Sequence, residues 1–485
     1  MPDIAFRSAT QLAATIRAKE ISSRELLDNY VRRIERFNPA INAVVTLDLE
    51  RARRRADEAD AALARGDTWG PLHGVPMTIK DTIETAGIRT TAGAEVLAQH
   101  VPSADAPAVA RLLAAGAVVV GKTNVPTFAM DAQSYNPIFG TTNNPWDITR
   151  APGGSSGGAA AALAAGLTGL ELGSDIGGSI RNPAHYCGVY GHKPTYGIVP
   201  LRGHIPGPPG TLSETDIGVI GPLARSADDL ALALDIVAGP DADRALAWRL
   251  DLPPPRRAAL RDYKVAAWLD DPACPIDRAV AQRYQVTVDA LRKAGATVNE
   301  RARPGFDFAD ARRTYLSLVH AATSPGVPTD RFQQLTETAN QLAPDDESRL
   351  TRYARNTTQR HRDWLACNET RQHLRLRWAE LFRDYDVLLC PITPTAAIPH
   401  DHSEPIAARS IQVNGAPRPY LDQIAWAGVI AMAYLPATIA PVGRTASGLP
   451  VGIQIVGPYL EDRTTIDFAR RLADVIGGFE IPPGF

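Results

Sequence analysis

The sequence predicts an α/β protein whose helices cover both faces of a largely buried sheet, and three observations carry that reading. Short apolar runs at residues 75–79, 117–120 and 167–172 lack the polar alternation of a half-exposed strand, as strands covered on both faces do. Helix-like stretches at 105–115 and 159–165 fall between them, punctuated by glycine and proline. The 485 residues are 45% hydrophobic and 21% charged, enough to bury a sizeable core.

Taken in order, the chain opens in helices. Ser8 with Gln11, and Ser22 with Glu25, have the spacing of capping boxes. Leu26, Leu27, Tyr30, Val31 and Ile34 then recur at helical spacing up to a predicted stop at Asn38-Pro39. Residues 51–65 alternate charge with alanine, as a solvated helix face does, and the helical opening over 1–70 is expected to pack on the main domain. Beyond Pro253-Pro254-Pro255 the pattern gives a strand at 265–269, a helix at 278–294 and a strand at 297–299. Residues 303–346 are polar and broken by glycine and proline, and read as lid or pocket-edge material. A helical region over 347–383, strands at 387–390, 437–440 and 451–456, and a helix at 462–476 complete the chain.

Composition narrows the function classes. A net charge of -2 calls for neither nucleic acid nor an anionic membrane as a partner. Cys187, Cys274, Cys367 and Cys390 are scattered, without the close pairs of a zinc or redox motif, and are expected to be reduced and mostly buried. The start, Met1 to Arg7, has no signal-peptide pattern, and no run reaches the roughly 20 apolar residues of a membrane span. The expectation is a cytoplasmic monomer or homodimer with a small-molecule substrate and no metal or other cofactor.

Two serine-bearing glycine-rich loops concentrate the chemistry: Gly153-Gly154-Ser155-Ser156-Gly157-Gly158 and Gly173-Ser174-Asp175-Ile176-Gly177-Gly178-Ser179. A serine held where glycines let backbone N–H groups converge can act as a nucleophile beside its own oxyanion hole. Upstream, Lys80, one of only six lysines, ends the run Val75-Pro76-Met77-Thr78-Ile79. Taken alone, the first loop also reads as a turn with Ser155 or Ser156 capping the following helix. In either of two registers it fits G-x-S-x-G, with Asp386 and His400 as possible partners of an α/β-hydrolase esterase, although residues 143–152 read as loop where that elbow needs a strand. The stretch from Gly116 to Lys122-Thr123 matches a phosphate-binding loop in letters only, because its variable positions Ala117-Val118-Val119-Val120 are themselves strand-forming.

Further residues carry a resemblance. Gly74-Val75-Pro76 leading to Lys80-Asp81, Gly121-Lys122-Thr123-Asn124, both serine loops through Ile180-Arg181, Cys187-Gly188-Val189, Lys193-Pro194-Thr195 and Leu449-Pro450-Val451-Gly452-Ile453-Gln454 together resemble the amidase signature hydrolases. The resemblance spans nearly the whole chain. It implies one large α/β/α domain over 1–485 around a central mixed sheet, with the signature core at 70–200. It also implies Ser179 as acyl-forming nucleophile, Ser155 as bridging serine after a cis peptide at Gly154, and Lys80 as terminal base. The N–H groups of Ile176, Gly177, Gly178 and Ser179 are the implied oxyanion hole. Asp175 and Arg181 are expected to pair and brace that loop, with Ser156 bonded within its own. Lys80 must then lose about three units from its ordinary pKa of about 10.4, which burial beside Met77 and Ile79 is expected to supply. Met130, His204, Ile205 and Trp426 are the expected pocket residues. They favour an aryl-acylamidase-like enzyme for neutral aryl or alkyl amides, with carbamates (urethanes) and esters within reach. A glutaminase-type subunit of a tRNA amidotransferase is the alternative, weakened by Ile198-Val199-Pro200-Leu201 where that branch usually carries an arginine and a serine.

Overall fold

The computed structural model describes residues 3–205, 207, 209–343 and 345–485. Eleven strands among them form one mixed sheet. In chain order these are β1 (Val44–Leu47), β2 (Pro76–Lys80), β3 (Val118–Thr123), β4 (Glu171–Asp175), β5 (Tyr190–Lys193), β6 (Val219–Ala224), β7 (Lys264–Ala267), β8 (Thr297–Asn299), β9 (Val387–Cys390), β10 (Ala437–Arg444) and β11 (Pro450–Val456). Across the sheet they run β1-β3-β2-β4-β6-β5-β10-β11-β9-β7-β8. β2 pairs in parallel with both β3 and β4, and β9, β7 and β8 form a second parallel group. Antiparallel pairings through β6, β5, β10 and β11 join the two.

Helices cover both faces. They are α1 (Ala9–Arg17), α2 (Ser23–Ile41), α3 (Leu49–Ala64), α4 (Pro107–Ala114), α5 (Gly157–Ala164), α6 (Arg181–Cys187), α7 (Ala227–Val237) and α8 (Arg278–Lys293), then α9 (Phe308–Thr323), α10 (Thr329–Gln341), α11 (Arg349–Thr357), α12 (His361–Asp384), α13 (Ala425–Ala431) and α14 (Asp462–Ile476). Every residue of β2, β3, β4 and β6 is buried, which is why their sequences need no polar face. Alternation along β2 sends Met77 and Ile79 into the core beneath α1, α4 and α7, whereas Val118 and Val120 of β3 join the core built on α5. The architecture is the expected single α/β/α domain.

Both capping boxes form, Ser8 with Gln11 and Ser22 with Glu25. Helix α2 outruns its predicted stop because a proline in the last turn forfeits only one backbone bond. Left-handed Asn42 ends it, its N–H donating to Asn38 C=O at 2.6 Å. The largest difference lies at 303–346, which holds α9 and α10 rather than irregular chain. Phe308, Ala311, Tyr315, Leu318 and Val319 repeat at helical spacing inside that polar stretch and bury one face of α9. Pro206 and Pro208, which follow the expected pocket residue Ile205, lie outside the described residues. No helix of the described residues is long and apolar enough to cross a membrane. The four cysteines are free, with only Cys367 partly exposed.

One carboxylate is among the contacts that clamp the helical opening to the domain. Buried Asp229 on α7 accepts from the N–H groups of Ala9 and Thr10 and from Thr10 Oγ1, each at 2.8 Å, and so caps α1 from another element. Asp229→Ala leaves those donors without their acceptor and should lower unfolding free energy by roughly 3 kcal/mol, read from the urea midpoint.

Candidate active site

Parallel pairing of β2 with β4, with Thr78 opposite Glu171 and Ile79 opposite Leu172, delivers the carboxyl ends of both strands to one edge of the sheet. That edge is where ligands meet open α/β sheets. Lys80 ends β2 there, and β4 runs into the loop of Ile176 to Ser179. Between them in sequence, the loop carrying Ser155 enters α5, a helix buried at every residue. Its glycine and alanine sequence permits this, because a Cβ at Gly158 would collide with the backbone of Asn124. The Gly154–Ser155 peptide is cis, and a Cβ at Gly154 would meet Asp131 C=O and Gln133 N–H at 2.5 Å.

Lys80 is fully buried. Its Nζ lies 2.7 Å from Ser155 Oγ and 2.9 Å from Ser174 Oγ. Burial pulls the amine down to about 7, against the opposing fields of Asp175 and Glu171. Met77 and Ile79 do not supply that burial, since they point through the sheet to the other core. Ser155 is 1% exposed, whereas Ser179 is partly open to solvent. Ser156 N–H donates to Ser179 C=O at 3.0 Å and ties the two loops together. Ser156 occupies the cap position of α5 without capping it, because its Oγ donates instead to Ser174 C=O at 3.3 Å.

Asp175 organises the second loop. Its Oδ1 accepts from Gly178 N–H at 2.8 Å and from Arg181 Nη2 at 2.7 Å, and its Oδ2 accepts from Ile180 N–H and Arg181 Nε. Burial would raise this carboxyl, but Arg181, then Lys193 and the Gly178 amide, hold it down at about 2. Arg181 also donates to Ala427 C=O and Gln454 Oε1, so the loop is anchored on α13 and β11. The expected oxyanion hole is narrowed by this network, because Gly178 N–H is already given to Asp175. No hydrogen bond within the described residues takes up the N–H groups of Ile176, Gly177 or Ser179. Gly178 sits at φ +114°, a conformation reserved for glycine.

The expected pocket residues divide. Trp426 is core filler, 1% exposed, its Nε1 donating to Cys274 C=O at 3.1 Å and its ring packed on Trp268 and Phe308. Ile205 is 2% exposed and pinned by its N–H to Thr82 C=O. Met130 stands 51% exposed beside Asp131, whose carbonyl abuts Gly154. His204 does more than line a wall, since its Nε2 lies 2.7 Å from Ser174 Oγ. Three contributors had no role assigned from sequence. Ser134 Oγ bridges Gly153 C=O and Gly157 N–H, Tyr315 from α9 lies against Gly177, and Ser174 meets Lys80 although strand register puts it on the opposite face.

The other readings find no geometry. Lys122 lies within β3, donating to Ile83 C=O and Thr85 Oγ1, with Asp81 as its electrostatic partner. Asp386 is engaged by Arg257 and Lys264 N–H. His400 is bonded to neither serine of the first loop, and no strand of the described residues directly precedes that loop.

Residues 25–466 match the Amidase family model. The A-type subunit of glutamyl-tRNA(Gln) amidotransferase from Roseiflexus sp. (strain RS-1) is 35% identical over 479 residues, 94% of each chain. Relatives of the same description at 32–34% identity include those of Geobacillus thermodenitrificans (strain NG80-2) and Picosynechococcus sp. (strain ATCC 27264 / PCC 7002 / PR-6). Among solved structures, a 6-aminohexanoate cyclic dimer hydrolase is 26% identical with TM-score 0.76, 98% of each chain being covered. A bacterial aryl acylamidase superposes with TM-score 0.82 over 99% of each chain, but at 23% identity that likeness speaks for the fold alone. The relatives overturn the expectation of a monomer or homodimer without a nucleic-acid partner, because chains alike over nearly this whole length are subunits of a tRNA amidotransferase. Net charge was a weak guide there: it averages one chain's surface and is blind to contacts that an assembly would make through other members.

Asp175→Asn would leave Arg181 buried against a neutral amide. It should cost about 3–5 kcal/mol in urea unfolding, far more than a surface ion pair.

Proposed function

The chain belongs to the amidase family, and on that footing we propose that it hydrolyses carboxamides through an acyl-enzyme on Ser179, as a glutaminase-type subunit that releases ammonia. The 2.7 Å contact between Lys80 Nζ and Ser155 Oγ carries the chemical part of this reading. A lysine poised near neutral pH can take a proton from Ser155 while Ser155 takes one from Ser179 Oγ, which attacks the carbonyl carbon. The N–H groups of Ile176, Gly177 and Ser179 then receive the oxyanion. Collapse returns the proton from Lys80 through Ser155 to the departing nitrogen and leaves an ester on Ser179. Water repeats the sequence, protonating Ser179 and freeing the acid.

The glutaminase part rests on the full-length likeness to tRNA amidotransferase subunits. Arg312, one turn before Tyr315 on α9, is the cation this reading assigns to the substrate carboxylate; here it pairs at 2.7 Å with buried Asp422, which Arg418 also neutralises. A second reading, hydrolysis of neutral amides, carbamates or esters, is favoured by one feature. Ile198, Val199 and Leu201 are buried apolar residues beside the neutral His204.

A screen of glutamine against anilides, aliphatic amides, carbamates and nitrophenyl esters separates the two readings. Ammonia release from glutamine that Arg312→Ala weakens mainly through KM supports the first, and turnover of anilides or carbamates without glutaminase activity supports the second. Ser179→Ala should lower kcat by roughly 10,000-fold and abolish labelling by a fluorophosphonate, whereas Ser156→Ala should cost about 10-fold or less. Labelling that persists in Ser179→Ala would sink the assignment. Because Lys80 acts as a base only when unprotonated, kcat/KM should climb with pH to a plateau, with its midpoint near 7, and Lys80→Ala should remove that limb.

A further inference from the structure

Lys80 has a second hydrogen-bonding arm that the relay through Ser155 does not use. Its Nζ lies 2.9 Å from Ser174 Oγ, and Ser174 Oγ lies 2.7 Å from His204 Nε2. The histidine is held there by backbone. Its N–H donates to Leu201 C=O, Ile205 N–H donates to Thr82 C=O, and an antiparallel bridge joins His204 to Ile83, three residues past Lys80. Gly203, at φ +80°, lets the chain pass against Ala106, where a Cβ would come within 2.7 Å of the alanine methyl.

Proton counting gives this arm a direction once the imidazole proton is placed. A hydroxyl has one hydrogen to give, and an imidazole beside a buried amine is driven to its neutral form. Burial and then the Lys80 charge push His204 down to about 3. With its proton on Nδ1, neutral His204 accepts at Nε2, and Ser174 spends its only hydrogen there. Ser174 can then only accept from Lys80. A neutral amine that donates to Ser174 keeps its lone pair for Ser155, the orientation in which it can take a proton. Without the imidazole, the Ser174 hydroxyl is free to turn and donate to the same lone pair.

We infer that His204 is a positioning residue for the base, which, by accepting the Ser174 proton, keeps the Lys80 lone pair directed at Ser155. This rests on the proposed roles of Lys80, Ser155 and Ser179. Asp175 and Glu171 of β4 are the charged groups that act on Lys80, and α5 contributes no titratable side chain. Neither acid touches His204, whose field comes from Lys80 alone.

The test measures the rate at which a fluorophosphonate labels Ser179 from pH 5 to 9 in the full chain. His204→Leu removes the acceptor, His204→Gln returns a carbonyl oxygen near the Nε2 position, and Ser174→Ala removes the competing hydroxyl. His204→Leu should slow labelling on the plateau by about 10-fold or more, within the range of a misdirected general base. It should also move the acid limb to lower pH, because a lone pair that already accepts a hydrogen bond takes a proton less readily. His204→Gln should stay within about 3-fold of the parent chain. Adding Ser174→Ala to His204→Leu should recover most of the lost rate, a non-additivity that a merely structural histidine would not produce. An unmoved limb in His204→Leu, or a double variant slower than His204→Leu, would overturn the inference, and so would a His204→Gln rate as low as that of His204→Leu. Failure of the unsubstituted chain to label would instead count against the proposed function.

Discussion

Much of the molecule is arranged around keeping one amine, Lys80, dry, and dryness is what lets it lose its proton near neutral pH. Water would hold Lys80 charged at neutral pH, since the ordinary lysine pKa is about 10.4. Burying the side chain costs free energy, because its polar end must be desolvated and find new partners. The structure meets the cost by placing Lys80 at the end of an interior strand, beneath a helix with almost no side chains, and by giving its nitrogen two hydroxyls instead of a carboxylate. An acid in direct contact would have cancelled the effect. Asp175, whose field reaches Lys80, is instead saturated by Arg181 and by the loop amides.

The same logic sorts the remaining buried charges. Lys122 and Asp81 oppose one another on the far side of the strand pair, so their fields largely compensate away from the lysine. Glu171 has no cation in contact, and burial raises it to about 7, which leaves it about half protonated near neutral pH. A fully ionised Glu171 would pull Lys80 back towards its ordinary value. Burial that frees the amine thus also quiets the acid beside it.

Much of this was legible in the sequence, for reasons that differ by element. The apolar runs became β2, β3 and β4 because strands covered on both faces need no polar alternation. The two serine loops announced themselves because glycine is required where backbone crowds backbone, as at Gly154 and Gly178. Strand β6 went unread because its run is interrupted by Gly221 and Pro222, which a strand bounded by antiparallel neighbours here accommodates. Helix α9 was hidden in polar sequence, its single buried stripe diluted by Asp310 and Arg313 on the outer face. Ser174 and His204 could not be joined from sequence at all. Lys80 reaches past the end of its strand, where register ceases to say which face a side chain meets, and His204 arrives from a loop whose path depends on tertiary contacts.

The origin of the parts along the chain has an evolutionary consequence. The proposed base Lys80, both loop serines, Ser174 and His204 all fall between residues 80 and 204, while Tyr315, Ile424 and Ala427, which press on Gly177 and Gly178 from outside, come from the later half. A lineage could therefore rewrite the walls of α9 and α13 without disturbing the proposed proton path, as long as Ala427 and Gln454 continue to hold Arg181. On the proposed mechanism, one reaction cassette set inside exchangeable masonry would give this architecture a short mutational route from one acyl compound to another.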